Sequence, residues 1–309
     1  MKAKPKLLST CLCILLSGCM LTACSDSSGT AGDAAAASDT SETEVENEGV
    51  LDSVDDIDTV YMLDYQNNIS DMIEEQKSSQ EYTIDDPLII ADPYGTNTTG
   101  LYVYFTTDAA TELSYTVSAD GYEDFTRTVS GGYTTEHEHQ LVGMIAGETN
   151  TITLTASDES GNETGSFTLE YTAPELLGDE ANGQLEVTSG DSSATLSDGF
   201  YTMLENRPEE DNEQVDIILV YDNNGTLRSE IPIQSYRSCH LLFDGGTMYY
   251  STSADQIAAL DNTGRITALY DTGDYNLHHD YIFGSNNDFP VLATDTTSNT
   301  EEDRIISIS

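Results

Sequence analysis

Basic residues are scarce in this chain of 309 residues: 10 Lys and Arg stand against 56 Asp and Glu, a formal charge of −46. Three of the ten, Lys2, Lys4 and Lys6, fall within the first six positions. So acidic a surface repels a phosphate backbone, because protein affinity for nucleic acid comes mainly from Lys and Arg displacing counterions. Nucleic acid is therefore excluded as a partner. Tryptophan is absent, and four of the five cysteines (Cys11, Cys13, Cys19 and Cys24) lie at the N-terminus. Only Cys239 lies beyond them, so the body of the chain has no disulfide of its own. A lone cysteine of this kind is either a small buried hydrophobe or a reactive thiol, and the neighbours Leu241, Leu242 and Phe243 favour the first for Cys239. After residue 24 no run of 18 apolar residues occurs, so no later segment reads as a membrane helix.

Apolar residues nevertheless make up 38% of the chain, with 18 tyrosines and 7 phenylalanines. Thr, Tyr, Val and Ile favour strands, and Gly, Asn and Asp favour tight turns. The composition points to an all-β protein held soluble by its own charge.

The N-terminus carries a leader. Lys2, Lys4 and Lys6 form a positive region, and an apolar stretch follows from Leu7 to Leu21. Leu21-Thr22-Ala23-Cys24 then resembles the site at which bacterial lipoproteins are acylated and cleaved. Leu16-Ser17-Gly18-Cys19 has the same pattern. Cys24 is preferred because the polar run Ser25-Asp26-Ser27-Ser28 follows it directly. The expected location is outside the cytoplasmic membrane, or in a periplasm, with the membrane touched only through that lipid.

Residues 1–24 are thus a signal peptide and 25–49 a polar tether unable to bury enough surface to order itself. In 50–81 apolar residues recur at spacings of three and four (Leu51, Val54, Ile57, Val60, then Ile69, Met72, Ile73), which predicts one or two amphipathic helices. Over 82–174 short strands alternate with turns every 8 to 12 residues: 101–107, 113–118, 125–129, 151–156 and 165–171. That rhythm predicts an Ig-like β-sandwich, without the Cys, Trp and Cys of antibody domains. Residues 175–192 form a linker rich in Gly, Asp and Glu.

From 193 to 309 a different pattern repeats. Ile217–Tyr221 runs into Asp222-Asn223-Asn224-Gly225, and Ile257–Leu260 runs into Asp261-Asn262-Thr263-Gly264, the two aspartates 39 residues apart. A strand, an Asp-x-x-Gly turn and a returning strand at this period suit four-stranded propeller blades. Arg304–Ile308 matches the strand before a third turn, so about two and a half blades are expected, and the chain reads as C-terminally incomplete.

Two histidine groups are candidates for chemistry. In Glu136-His137-Glu138-His139 alternate side chains share a strand face, a possible metal pair or else a solvated sandwich edge. His278-His279-Asp280 reads as the start of a strand directly after a loop. In a propeller the first strand of each blade lines the central channel, where histidine serves as nucleophile, proton donor or anion ligand. The plainer reading is a turn-capping pair. The Asp-x-x-Gly turns could also hold calcium, although such turns form for backbone reasons alone.

Three longer strings add to this: DDPLIIADPYGTNTTGLYVYF from Asp85, EHEHQLVGMIAGETNTITLTASD from Glu136, and SCHLLFDGGTMYYSTSADQIAALDNTGRITALYDTGDYNLHHDYIF from Ser238. Over about Ile84 to Ser309 the chain resembles the bacterial aryl-sulfate sulfotransferase family. The resemblance implies a β-sandwich before a six-bladed propeller. It also implies sulfuryl transfer from phenolic sulfate donors to phenol acceptors through a sulfated histidine, without a nucleotide donor and with no cofactor. By position His278-His279-Asp280 resembles the family's first channel motif, which binds the sulfuryl group or protonates the leaving phenolate. His279 is the preferred channel-facing member and His278 the alternative. The family's nucleophilic histidine and sulfate-clamping arginine have no counterpart up to residue 309, so the chain alone is expected to be inactive. Arg237, near His240, is a further cation with a surface turn as its plainer home. The competing reading is a cell-surface binding lipoprotein without chemistry.

Overall fold

The computed structural model describes residues 57–178, 180–188, 199–204, 216–235, 240–285, 288–298 and 303–309. The leader with Cys24 and Cys19, the tether, Arg237 and Cys239 lie outside them. The described chain is all-β apart from two helices and one short 3-10 turn: an Ig-like sandwich followed by three blade-like sheets.

The helical expectation for 50–81 is met where it can be read, by α1 (Ile57–Val60) and α2 (Leu63–Lys77). The two serve different neighbours. Ile57, Val60 and Tyr61 join the core of the first two blades, whereas Ile69 and Ile73 of α2 pack on Leu88, Tyr94 and Tyr102 of the sandwich. Buried Gln66 ties the pieces together: its Nε2 donates to Val60 O and Tyr94 O, and its Oε1 accepts the N–H of Ile266.

The sandwich contains β1 (Leu88–Ala91), β2 (Leu101–Ala119), β3 (Phe125–Thr128), β4 (Thr134–Leu141), β5 (Thr149–Ser157) and β6 (Glu163–Thr172). The two strands expected at 101–107 and 113–118 are one. Extended, 19 residues span roughly 60 Å, too long to stay in a single small sheet. β2 therefore changes sheets. Its first half pairs with β1 and β4, its second with β3 and β5, and the register shifts between Thr106 and Thr111. Exposed Asp108, Ala109 and Ala110 occupy the bend. Leu101, Val103 and Phe105 then face Leu113, Tyr115, Val117, Ile152 and Leu154 across the core.

Beyond residue 184 the first sheet is β7 (Tyr201–Leu204), β8 (Asp216–Tyr221) and β9 (Leu227–Ile233). The second is β10 (Leu241–Asp244), β11 (Thr247–Ser251), β12 (Gln256–Leu260) and β13 (Ile266–Asp271). The third is β14 (Tyr275–Tyr281), β15 (Phe289–Asp295) and β16 (Asp303–Ile308). All neighbours are antiparallel. β8, β12 and β16 occupy equivalent places, as the repeat predicted.

Both Asp-x-x-Gly turns form as expected. Asp222 Oδ1 accepts the N–H groups of Asn224 and Thr226, and Asp261 Oδ1 those of Thr263 and Arg265. Gly225 and Gly264 supply φ +78 and +87, which cost a side-chain-bearing residue more. These turns also dock the blades on the sandwich. Asn262 O accepts from the Gln140 N–H and Gly264 O from Thr96 Oγ1; the Gly143 N–H donates to Arg228 O, and the Arg228 guanidinium donates back to Gly143 O.

Candidate functional site

β10 and β14 are the first described strands of consecutive blades; His240 directly precedes β10, and His278 and His279 lie within β14. The pair His278-His279 does not begin a strand, as the sequence suggested. It sits inside β14, where pairing with β15 is regular from Tyr275 to Leu277 and resumes only at Tyr281. His278, His279 and Asp280 stand opposite the single residue Leu292 in a bulge, and such bulges re-aim side chains. His279 has φ +69, a left-handed conformation uncommon outside glycine and costing on the order of 1–3 kcal/mol where it is held.

The bulge separates the two rings. His278 is mostly covered, its Nε2 lying 3.3 Å from Asp303 Oδ1 of β16 but without hydrogen-bond alignment. His279 is exposed. The rings meet edge to face, 5.0 Å between centroids at 89°. Asp280 accepts the N–H of Tyr281 at 2.9 Å and approaches His240 Nδ1 at 2.5 Å. A carboxylate oxygen accepts, so Nδ1 carries the hydrogen. Buried Tyr281 donates its hydroxyl to the His240 carbonyl, and its ring lies 5.9 Å from the His240 imidazole.

The site thus gathers His240, His278, His279, Asp280 and Tyr281 at one junction between blades. Sequence reading did not place His240 in it. Strand register makes His240 and Asp280 equivalent: Leu241 pairs through Tyr250 to Ala258 as Tyr281 pairs through Val291 to Ile306, so the residues before them, 40 apart, match in successive blades.

The other histidine group is structural. His137 is buried against the sandwich core, not on a solvated edge. It lies opposite Phe105 in register and stacks on it at 4.6 Å and 19°, with Nε2 2.9 Å from Thr111 Oγ1. Burial lowers its pKa. His139 is lowered to about 4, by burial first and by nearby His137 second. The Asn262 amide donates to its Nδ1, which suits a neutral ring. Glu138 turns the other way, to Lys77 and Tyr102. Among the described residues no group of three or more His, Cys, Asp and Glu side chains is arranged to hold a metal ion. The turn aspartates are already committed to backbone N–H groups, and Asp222 also to Arg228 Nε at 2.7 Å. No described helix is long and apolar enough to cross a membrane.

The architecture is that of an Ig-like sandwich followed by propeller-like sheets. The arylsulfotransferase Ig-like domain matches residues 88–174 and the arylsulfotransferase (ASST) domain matches residues 186–309. Together they take up about two thirds of the chain, which belongs to the arylsulfotransferase family. Sulfotransferase activity and phenolic substrates go with that family in general. No curated protein matches the chain.

Proposed function

We propose that the chain serves aryl-sulfate sulfotransfer and that the bulge at His278-His279-Asp280 receives the sulfuryl group of a phenolic sulfate. One observation carries this reading: an exposed histidine is kept in a left-handed backbone conformation, and strain of that kind collects at functional sites. Negative charge develops on the equatorial oxygens of a sulfuryl group in transit, so the site needs N–H donors directed at them. His279 supplies such a donor, either to a sulfuryl oxygen or as the acid that protonates the departing phenolate. His278, covered and beside Asp303, orients it.

The route proposed is ping-pong and needs neither a nucleotide donor nor a cofactor. The donor's aryl O–S bond breaks as an S–N bond forms to a histidine; the acceptor phenol oxygen then takes the sulfur and its proton leaves. That sulfated histidine is assigned to none of the five histidines here. Binding of aryl sulfate is therefore the direct test on these 309 residues. Titration calorimetry with 4-nitrophenyl sulfate should show binding that weakens at least tenfold in His279→Ala. Equal affinity in the variant would remove the bulge from the reading.

Export with a lipid on Cys24 belongs to the same proposal. Its support is the order of positive, apolar and small residues before that cysteine. Mass analysis of the mature N-terminus should find a diacylglyceryl cysteine at position 24; an unmodified or uncleaved terminus would refute it.

A further inference from the structure

We infer that His240 is the positioning residue for the histidine bulge of the neighbouring blade, acting on His279 through Asp280; this rests on the site reading above. Three contacts converge. His240 Nδ1 donates to Asp280 Oδ1 at 2.5 Å, the same oxygen accepts the Tyr281 N–H at 2.9 Å, and the Tyr281 hydroxyl returns to the His240 carbonyl. Asp280 directly follows the left-handed residue His279, in a stretch where β14 has lost its pairing with β15. Strand pairing therefore does not set the backbone of that stretch; the clamp from His240 does. Tyr281 is buried and anchors one end of the bulge, Leu277 the other. What remains adjustable between them is fixed by where His240 holds the Asp280 carboxylate.

The arrangement follows from the repeat. Positions made equivalent by strand register in adjacent blades carry complementary partners, His240 in one and Asp280 in the next. A pair of this kind couples the two blades at the point where the substrate group is proposed to sit. His240 need not touch substrate for this role.

The test is nuclear magnetic resonance of the histidine ring signals in the 309-residue chain. His240→Ala should displace the His279 signals, and Asp280→Ala should displace them in the same direction. His240→Asn should restore them, because the asparagine Nδ2–H takes the place of Nδ1–H. Tyr281→Phe, a milder change, should give a smaller displacement of the same sense and serves if the alanine variants do not fold. Unmoved His279 signals in His240→Ala, or in Tyr281→Phe if that is the variant that folds, would overturn the proposal. So would displacement that His240→Asn leaves uncorrected. A separate titration of the unaltered chain with 4-nitrophenyl sulfate distinguishes the underlying reading. If the signals respond to the substitutions but not to the aryl sulfate, the clamp stands and the sulfuryl site falls.

Discussion

Arg228 Nε lies 2.7 Å from Asp222 Oδ2, with both side chains buried, the arginine at 2% exposure. The same guanidinium donates to Gly143 O and Glu123 O of the sandwich and lies 4.9 Å over the Phe125 ring. One side chain thus holds the first Asp-x-x-Gly turn and presses it onto the neighbouring domain. Removing one partner of a buried pair leaves the other charge uncompensated, at a cost of about 3–5 kcal/mol. Arg228→Ala should lose that much in urea unfolding, and a loss below about 1 kcal/mol would show the pair to be dispensable.

Asp92 sits in a wholly buried loop with φ +29, its Oδ1 accepting the N–H groups of Thr96 and Asn97. Burial raises its pKa from 3.8 to about 7 despite those bonds. Between these values the folded chain keeps a proton that the unfolded chain has released. The stabilising effect is complete below about pH 4 and is lost as pH rises through 7. Asp92→Asn keeps the acceptor and has no charge to bury. It should match the unaltered chain near pH 4 and exceed it at pH 8 by up to about 4 kcal/mol. Parallel stability curves from pH 4 to 8 would contradict this.

His139 works with the opposite sign. Its pKa falls from 6.5 to about 4, chiefly through burial, so between those values the unfolded chain binds a proton that the folded one refuses. Its contribution is complete above pH 6.5 and is lost as pH falls through 4. His139→Asn, whose Oδ1 accepts from Asn262 as Nδ1 does, should move the acid limb of thermal melting to lower pH. An unchanged acid limb would assign acid unfolding to other groups.

The repeats were legible because turn chemistry is local: Asp222-Gly225 and Asp261-Gly264 need only their own backbone. β9 was less so. It was expected only as the strand returning from the turn, yet every residue from Leu227 to Ile233, Arg228 and Glu230 included, is buried. Its polar groups are satisfied by the sandwich and the segment after it, Glu230 accepting from Thr98 Oγ1 and from the backbone of Leu177 and Gly178. No window of sequence contains both partners. The same holds for His137, whose place in the core depends on Phe105 opposite it. In the candidate site, His278, His279 and Asp280 stood out as a cluster. The 39-residue spacing of the turns would match His240 with His279; its partnership with Asp280 depends on strand register, as the bulge that moves the pair into mid-strand depends on pairing with β15.

The most direct test of the central claim is release of 4-nitrophenolate from 4-nitrophenyl sulfate by the protein as its gene encodes it, with and without phenol. The account predicts release that depends on phenol, with equal formation of phenyl sulfate, and a loss of at least a hundredfold in His279→Ala, equivalent to about 2.7 kcal/mol of transition-state stabilisation. Release that ignores phenol, or that proceeds at full rate in the variant, would contradict it.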